Sequence, residues 1–228
     1  MQILALHRPG QRWRPEIRWH GFANVDAALA LGSGAILWVS DFVYSSLITK
    51  MAFDQAGVAV SHLSRPNHGF SISPFGIRFL NPLWASIEDR FIAERVLIVD
   101  CDAREALKTL RTRLASNHVV SVTVSDTARR RLKVSFFRGA ICIATGPPHL
   151  SRASRAPLLP VFTLRAEDGV YDVIVSPALD VDHVGEADYA TSIRAYVTML
   201  EARVLTNPDQ WNGWFTMKLL AGEAWVPG

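Results

Sequence analysis

Gly34-Ala-Ile-Leu-Trp-Val-Ser-Asp-Phe-Val-Tyr-Ser-Ser46 is the stretch whose reading decides the fold. Ala35 to Val39 is an unbroken apolar run of strand length, the pattern of a parallel strand covered by helices on both faces. Asp41 follows at its end, placed to cap a helix read over Phe42 to Gln55 and closed by Gly57. A buried strand feeding a helix predicts an α/β sheet, whose ligands gather beyond the carboxyl ends of its strands.

The same alternation extends on both sides. Upstream, Ile17 to Trp19 reads as a short strand, and Asn24 is placed to cap a helix that Gly32 or Gly34 ends. Downstream come a strand at Val58 to Leu63, a helix from Pro82 to Ala93 and a strand at Val96 to Val99. Ser64 to Asn81 between them is rich in Pro, Gly, Ser and Asn and reads as a loop and candidate ligand wall. Asp102 opens a helix through Leu114, followed by strands at Val119 to Val124 and Leu132 to Phe137. A short helix is expected at His149 to Arg155, then two strands, Leu158 to Leu164 and Tyr171 to Val175, joined by a turn at Asp168-Gly169. Apolar residues at helical spacing predict a long helix from Ala187 to Leu205, before a Trp-rich tail. The expectation is a single α/β domain over 1–228, with a central mixed, mainly parallel β-sheet flanked by helices.

Composition narrows the function classes. With 228 residues, 49% of them hydrophobic, the chain can bury a sizeable core. Its formal charge of +3 is spread out except at Arg129-Arg130-Arg131, which is no nucleic-acid footprint. Two cysteines, Cys101 and Cys142, each beside an apolar run, read as buried free thiols in a reducing compartment. No apolar run reaches about 18 residues, and Arg8, Arg12, Arg14 and Arg18 break the start, so neither a membrane span nor a signal peptide is expected. The histidines 62, 68, 118 and 149 show no pair with ligand spacing, and no metal is implied.

Beyond the strand ends, an ordered set of small motifs carries chemistry. Asp41-Phe-Val-Tyr-Ser-Ser46 follows the first buried strand; Ser64-Arg65-Pro66 and Gly76-Ile77-Arg78 follow the next. Asp126, Phe136-Phe137-Arg138-Gly139, Ala144-Thr145-Gly146-Pro147 and Ala156-Pro157-Leu-Leu-Pro160-Val-Phe162 come in turn, with Leu200-Glu201 and Asn207-Pro208-Asp209-Gln210-Trp211 near the end. Over about residues 17–217 this order resembles the lysophospholipid acyltransferase superfamily, most closely the bacterial lipid A biosynthesis late acyltransferases of the lauroyl and myristoyl transferase type. The resemblance implies a lysophospholipid acyltransferase-like fold.

It also implies a reaction. In the family, a His-x4-Glu or Asp motif deprotonates an acceptor hydroxyl, which attacks an acyl thioester carried by acyl carrier protein or coenzyme A. By position, Asp41 replaces the His and Ser46 the acidic partner, so the motif is degenerate. Asp41 is read either as a helix cap or as the group that contacts or deprotonates the acceptor. An ordinary Asp, with a pKa near ~3.9, is a weak base at neutral pH, and burial beside Trp38 and Phe42 is one way to raise it. Ser40, Tyr44, Ser45 and Ser46 surround the helix start and are candidate hydrogen-bond donors, each with helix capping as the plain alternative. Arg65 and Arg78 match family positions linked to anionic parts of substrate, which suits their planar donors. Asp126 matches an acidic position near the site, and its alternative is a turn residue. Phe137, Thr145 and Gly146 lie in the segment expected to shape an acyl pocket. His62 and His68 flank the Arg65 loop as candidates for a compensating base.

The implied function is transfer of an acyl group from an acyl carrier protein or coenzyme A thioester to a small or amphipathic amine or hydroxyl acceptor. No tightly bound cofactor is implied. The alternatives are a catalytically degenerate homologue that binds a lipid, thioester or partner protein, and a hydrolase of the same thioester. Family members are usually held at membranes by an N-terminal hydrophobic segment, which this sequence does not show. The expectation is a cytoplasmic protein with at most peripheral contact with the inner membrane, where its seven tryptophans are candidates to lie.

Overall fold

Ala35, Leu37 and Val39 point into one hydrophobic cluster and Ile36 and Trp38 into another, with every residue of the run buried. In the computed structural model, which describes residues 13–66, 68–69, 71, 73–99, 103–181 and 189–220, this run is a central strand of a seven-stranded sheet.

In chain order the elements are β1 (Ile17–His20), α1 (Ala23–Leu29), β2 (Ala35–Val39), α2 (Ser45–Gln55) and β3 (Val60–Ser64). A π-helical turn at Gly76–Leu80 then leads into α3 (Asn81–Glu88), followed by β4 (Glu94–Leu97), α4 (Arg104–Ala115) and β5 (Val119–Thr123). The second half holds β6 (Arg131–Phe136), β7 (Gly139–Ala144), α5 (Gly146–Ser154), β8 (Leu158–Arg165), β9 (Tyr171–Val175) and α6 (Ala190–Thr206). Short pieces close it, α7 (Gly213–Thr216) and β10 (Leu219–Leu220).

The main sheet has the order β1-β9-β8-β2-β5-β3-β4. Strands β8, β2, β5, β3 and β4 are mutually parallel, while β9 is antiparallel to β8 and parallel to β1. This is the mixed, mainly parallel sheet expected from the alternation of strands and helices. Helices α1, α2 and α3 cover one face; α4, α5 and α6 cover the other. A three-stranded sheet, β10-β7-β6, packs on that second face and is not among the expectations, which assign no element to the residues of β7.

Gly34 starts β2 with φ +71, and a Cβ there would lie 2.5 Å from the carbonyl of His118, so glycine is required where β2 passes the end of α4. Two expected caps are corrected. Asn24 does not cap α1, since Phe22 holds that position and the Asn24 amide donates to the Val175 carbonyl. Asp41 does not cap α2, which starts four residues later behind Tyr44, because the buried Phe42 pulls residues 41–44 into a turn of their own. Helix α5 begins at Gly146 rather than His149, as Pro147 and Pro148 sit in its first turn, where their missing N–H groups cost nothing. Helix α3 ends at Glu88, short of the expected Ala93, and β4 lies two residues earlier than the expected Val96 to Val99. Cys101 and Asp102 lie outside the described residues, and so does the predicted start of α6 at Ala187. Among the described residues, no helix is long and apolar enough to cross a membrane.

Candidate active site

Strands β2, β5 and β3 are neighbours and run in parallel, so the segments that follow them emerge in that order along one edge. Asp41, residues 125–131, and Arg65, Pro66, His68 and Gly69 therefore line up there. Adjacent strands lie about 4.8 Å apart, which sets the Asp41 and Arg65 positions roughly 10 Å from one another across the edge.

Asp41 is held by the C-terminal segment. Asn212 Nδ2 donates to Asp41 Oδ1 at 3.1 Å and Thr216 Oγ1 donates to Oδ2 at 3.0 Å, while the Asp41 carbonyl accepts from the Asn212 N–H. Asn212 itself precedes α7. The clasp exists because Phe42 pairs with Trp211 and Val43 N–H donates to the Gln210 carbonyl, bringing the two segments alongside each other. Trp211 lies flat over Gly213, where a Cβ would sit 2.1 Å from the indole. Beneath, Tyr196 stacks on Trp38 at 4.0 Å. Burial, and then the charge of Asp41, push the Tyr196 phenol well above its ordinary range, so it stays protonated. The Trp38 and Trp211 indole N–H groups and the Tyr196 hydroxyl are buried with no hydrogen-bond partner among the described residues.

The flanking hydroxyls are mostly committed. Ser40 Oγ donates to the Val161 carbonyl, and Ser45 Oγ exchanges hydrogen bonds with the backbone of Phe42. Tyr44 packs edge-on against Tyr171. Ser46 is half-buried in the first turn of α2, and its carbonyl accepts from Lys50 Nζ at 2.6 Å.

Next along the edge, Arg65 Nη2 donates to Thr127 Oγ1 at 2.6 Å, and Thr127 shares a 2.8 Å hydrogen bond with Ser125. Asp126 is buried, accepting from the Lys218 N–H at 2.7 Å. With Thr127, Arg131, Cys142, Lys218 and Leu220 it lines a cavity of about 280 Å³. Thr145 Oγ1 and N–H both donate to the Arg130 carbonyl, which brings Thr145 and Gly146 to the same loop. Phe137 sits at the β6–β7 turn with φ +51; its N–H donates to Glu201 and its ring stacks parallel to Trp214. Arg78 stays apart from these residues, exposed on the π-helical turn with its guanidinium over Phe79.

Sequence reasoning missed a buried ionic cluster between α2, α3 and the sheet. Glu88 is fully buried and receives Trp84 Nε1 at 2.9 Å, Arg95 Nη2 at 2.9 Å and Lys50 Nζ at 3.3 Å. His68 Nε2 lies 2.9 and 3.1 Å from its two oxygens. Burial would raise the Glu88 pKa, but the His68 hydrogen bond, the Lys50 and His68 charges and the Arg95 hydrogen bond outweigh it and hold the carboxylate well below its usual range. Lys50 is lowered, chiefly by burial. His62 is buried beside this cluster, bonded through Nδ1 to Ser121 Oγ at 2.8 Å; burial, then Lys50, drive it well below its ordinary value and keep it neutral. The available signal was Lys50 and Glu88 standing on the apolar faces of their helices, beside Met51 and Ile87. Among the described residues, no three His, Cys, Asp or Glu side chains gather as a metal site would need.

The family model described as bacterial lipid A biosynthesis acyltransferase matches residues 3–220 of the chain. No curated protein matches it.

Proposed function

The chain belongs to the bacterial lipid A biosynthesis acyltransferase family, and on that premise we propose that it transfers an acyl group from an acyl carrier protein or coenzyme A thioester to a small or amphipathic amine or hydroxyl acceptor. The observation that carries this reading is the match over nearly the whole chain, joined to a carboxyl edge where Arg65 is bonded to Thr127, and Thr127 to Ser125, beside the buried Asp126.

In this reading Asp41 contacts the acceptor, with Ser46 and Tyr44 beside it. Arg65 and Arg78 bind anionic groups of donor or acceptor through planar, permanently charged donors. Phe137, Thr145 and Gly146 border the acyl chain, and Asp126 fixes the loop that carries Thr127. Positioning the acceptor against the thioester carbonyl removes much of the entropic barrier, independently of any base. The reaction takes place in the cytoplasm, with peripheral contact at the inner membrane where an amphipathic acceptor is drawn from it.

The test is to incubate the protein with acyl-coenzyme A and acyl-carrier thioesters, with and without amine and hydroxyl acceptors, and to follow products by mass spectrometry. Acceptor-dependent product is expected, and Asp41→Ala should lower it by ten-fold or more while the protein stays folded. Unchanged turnover in that variant removes Asp41 from the mechanism.

A second reading is a homologue that binds a lipid, thioester or partner protein without turning it over. Its supporting observation is that both Asp41 carboxylate oxygens already accept hydrogen bonds from Asn212 and Thr216. Thioester binding without product under every condition selects it, and free acid released without an acceptor selects a hydrolase instead.

A further inference from the structure

Transfer to a hydroxyl or an amine needs a proton taken from the acceptor, and the group that takes it must have a lone pair to spare. Asp41 is clasped by the C-terminal segment, each of its oxygens accepting one hydrogen bond that fixes the carboxylate in place. His62 is buried and tied to Ser121. His118 precedes β5, at the opposite end of the strand, and His149 is bonded to Tyr189. His20 pairs with Asp172 on β1 and β9, beyond β8 from Asp41.

His68 differs from all of these. It follows β3 at the carboxyl edge, closing a turn in which its N–H donates to the Arg65 carbonyl. Its Nε2 faces a carboxylate with no exposure to solvent, while the His68 side chain keeps 30% of its surface exposed. An ionised carboxylate only accepts, so Nε2 carries the hydrogen, and in the neutral form of the ring the lone pair lies at Nδ1. No described residue bonds to Nδ1. Glu88 cannot swing away, because Trp84, Arg95 and Lys50 hold it, and Arg95 is itself fixed by Asp89 at 2.6 Å and Ser64 at 3.1 Å. A histidine whose tautomer and orientation are set by a buried acidic group is the arrangement that general-base catalysis uses on many unrelated folds.

We propose that His68, oriented by Glu88, is the general base of the acyl transfer, so that a dyad lost from the end of β2 has been rebuilt from the β3 loop and α3. This rests on the acyl-transfer reading. The acceptor X–H donates its hydrogen bond to Nδ1, next to Arg65. As X attacks the thioester carbonyl carbon, the proton passes to Nδ1 and a C–X bond forms. Collapse of the tetrahedral intermediate breaks the C–S bond, and the imidazolium returns the proton to the departing thiolate. The products are an ester or amide and a free thiol, with charge and protons balanced. Glu88 is a positioning residue, since it touches the ring and not the substrate. The charged and titratable groups facing His68 are Glu88, Lys50 and Arg95 with its partner Asp89, and the neutral His62 lies with its ring 6.3 Å away.

The experiment compares the wild-type chain with His68→Ala, His68→Gly and, as a control, His20→Gln. The probes are dodecanoyl-coenzyme A and dodecanoyl carrier protein, with ethanolamine and glycerol as acceptors. The expected result is a fall in kcat of about 10²- to 10⁴-fold in both His68 variants, restored in part by added imidazole in His68→Gly, with His20→Gln unaffected. Nitrogen chemical shifts of the wild-type ring should show Nε2 protonated and Nδ1 bare. Full transfer by His68→Ala, a loss that imidazole does not restore, or the opposite tautomer would each overturn the assignment while acyl transfer stands. Absence of transfer by the wild type would overturn the acyl-transfer reading itself, and the base assignment with it.

Discussion

Asp41 and His68 stand on the same edge of the sheet with different partners, Asp41 held by the C-terminal segment and His68 by Glu88. The Asp41 carboxylate at the end of β2 accepts hydrogen bonds from Asn212 and Thr216 and so ties the C-terminal segment to the edge of the sheet. His62 carries a separate residue-scale consequence. Burial lowers its pKa below the unfolded value near 6.5, so the unfolded chain takes up a proton that the folded one refuses. Stability from His62 is present above that pH and is lost as pH falls below it, at up to ~1.4 kcal/mol per pH unit. Urea unfolding at pH 5.5 and 7.5 should show a pH dependence in the wild type that His62→Gln reduces.

At the scale of elements, α2 and α3 meet through charge as well as hydrocarbon. Removing the Glu88 charge leaves the buried Lys50 without its carboxylate and Arg95 with Asp89 alone, whereas removing Lys50 leaves Glu88 with Arg95 and Trp84 still bonded. Glu88→Gln should therefore cost about 3–5 kcal/mol, the range for breaking a buried pair. Lys50→Met should cost distinctly less, and denaturant unfolding at pH 7 measures both. A larger loss from Lys50→Met would mean that the lysine, not the glutamate, is the keystone of the cluster. This cluster also marks the limit of what the sequence made legible. Strands β2, β8 and β9 were readable because apolar runs and an Asp-Gly turn are local signals. Strand β7 was not, because Gly139 to Ala144 becomes a strand only through its partner β6. The row Asp41, Asp126, Arg65 was readable as a set of strand ends. Lys50, Glu88 and Arg95 were not, since three charges far apart in sequence become a site only once the helices pack.

The whole molecule depends on one sheet. Both hydrophobic clusters draw on β2, β5 and β8, so neither can melt while the other keeps its floor. A single cooperative transition is expected, with tryptophan fluorescence and far-ultraviolet circular dichroism giving the same midpoint on urea unfolding. Two separated midpoints would show that the chain divides into independent units, most simply at the β6-β7-β10 sheet.

The central place of β2 also matters for how the chain is made. Ala35 to Val39 hydrogen-bonds to β5 and β8, whose residues begin at 119 and 158. On a ribosome adding about 5–20 residues per second, the most apolar pentapeptide of the sheet is outside for roughly ten seconds before its second partner is synthesised. Such a segment, uncharged and free of proline, is a ready seed for intermolecular pairing. Production yield should thus depend more on chaperone supply and growth temperature than on the stability of the finished fold.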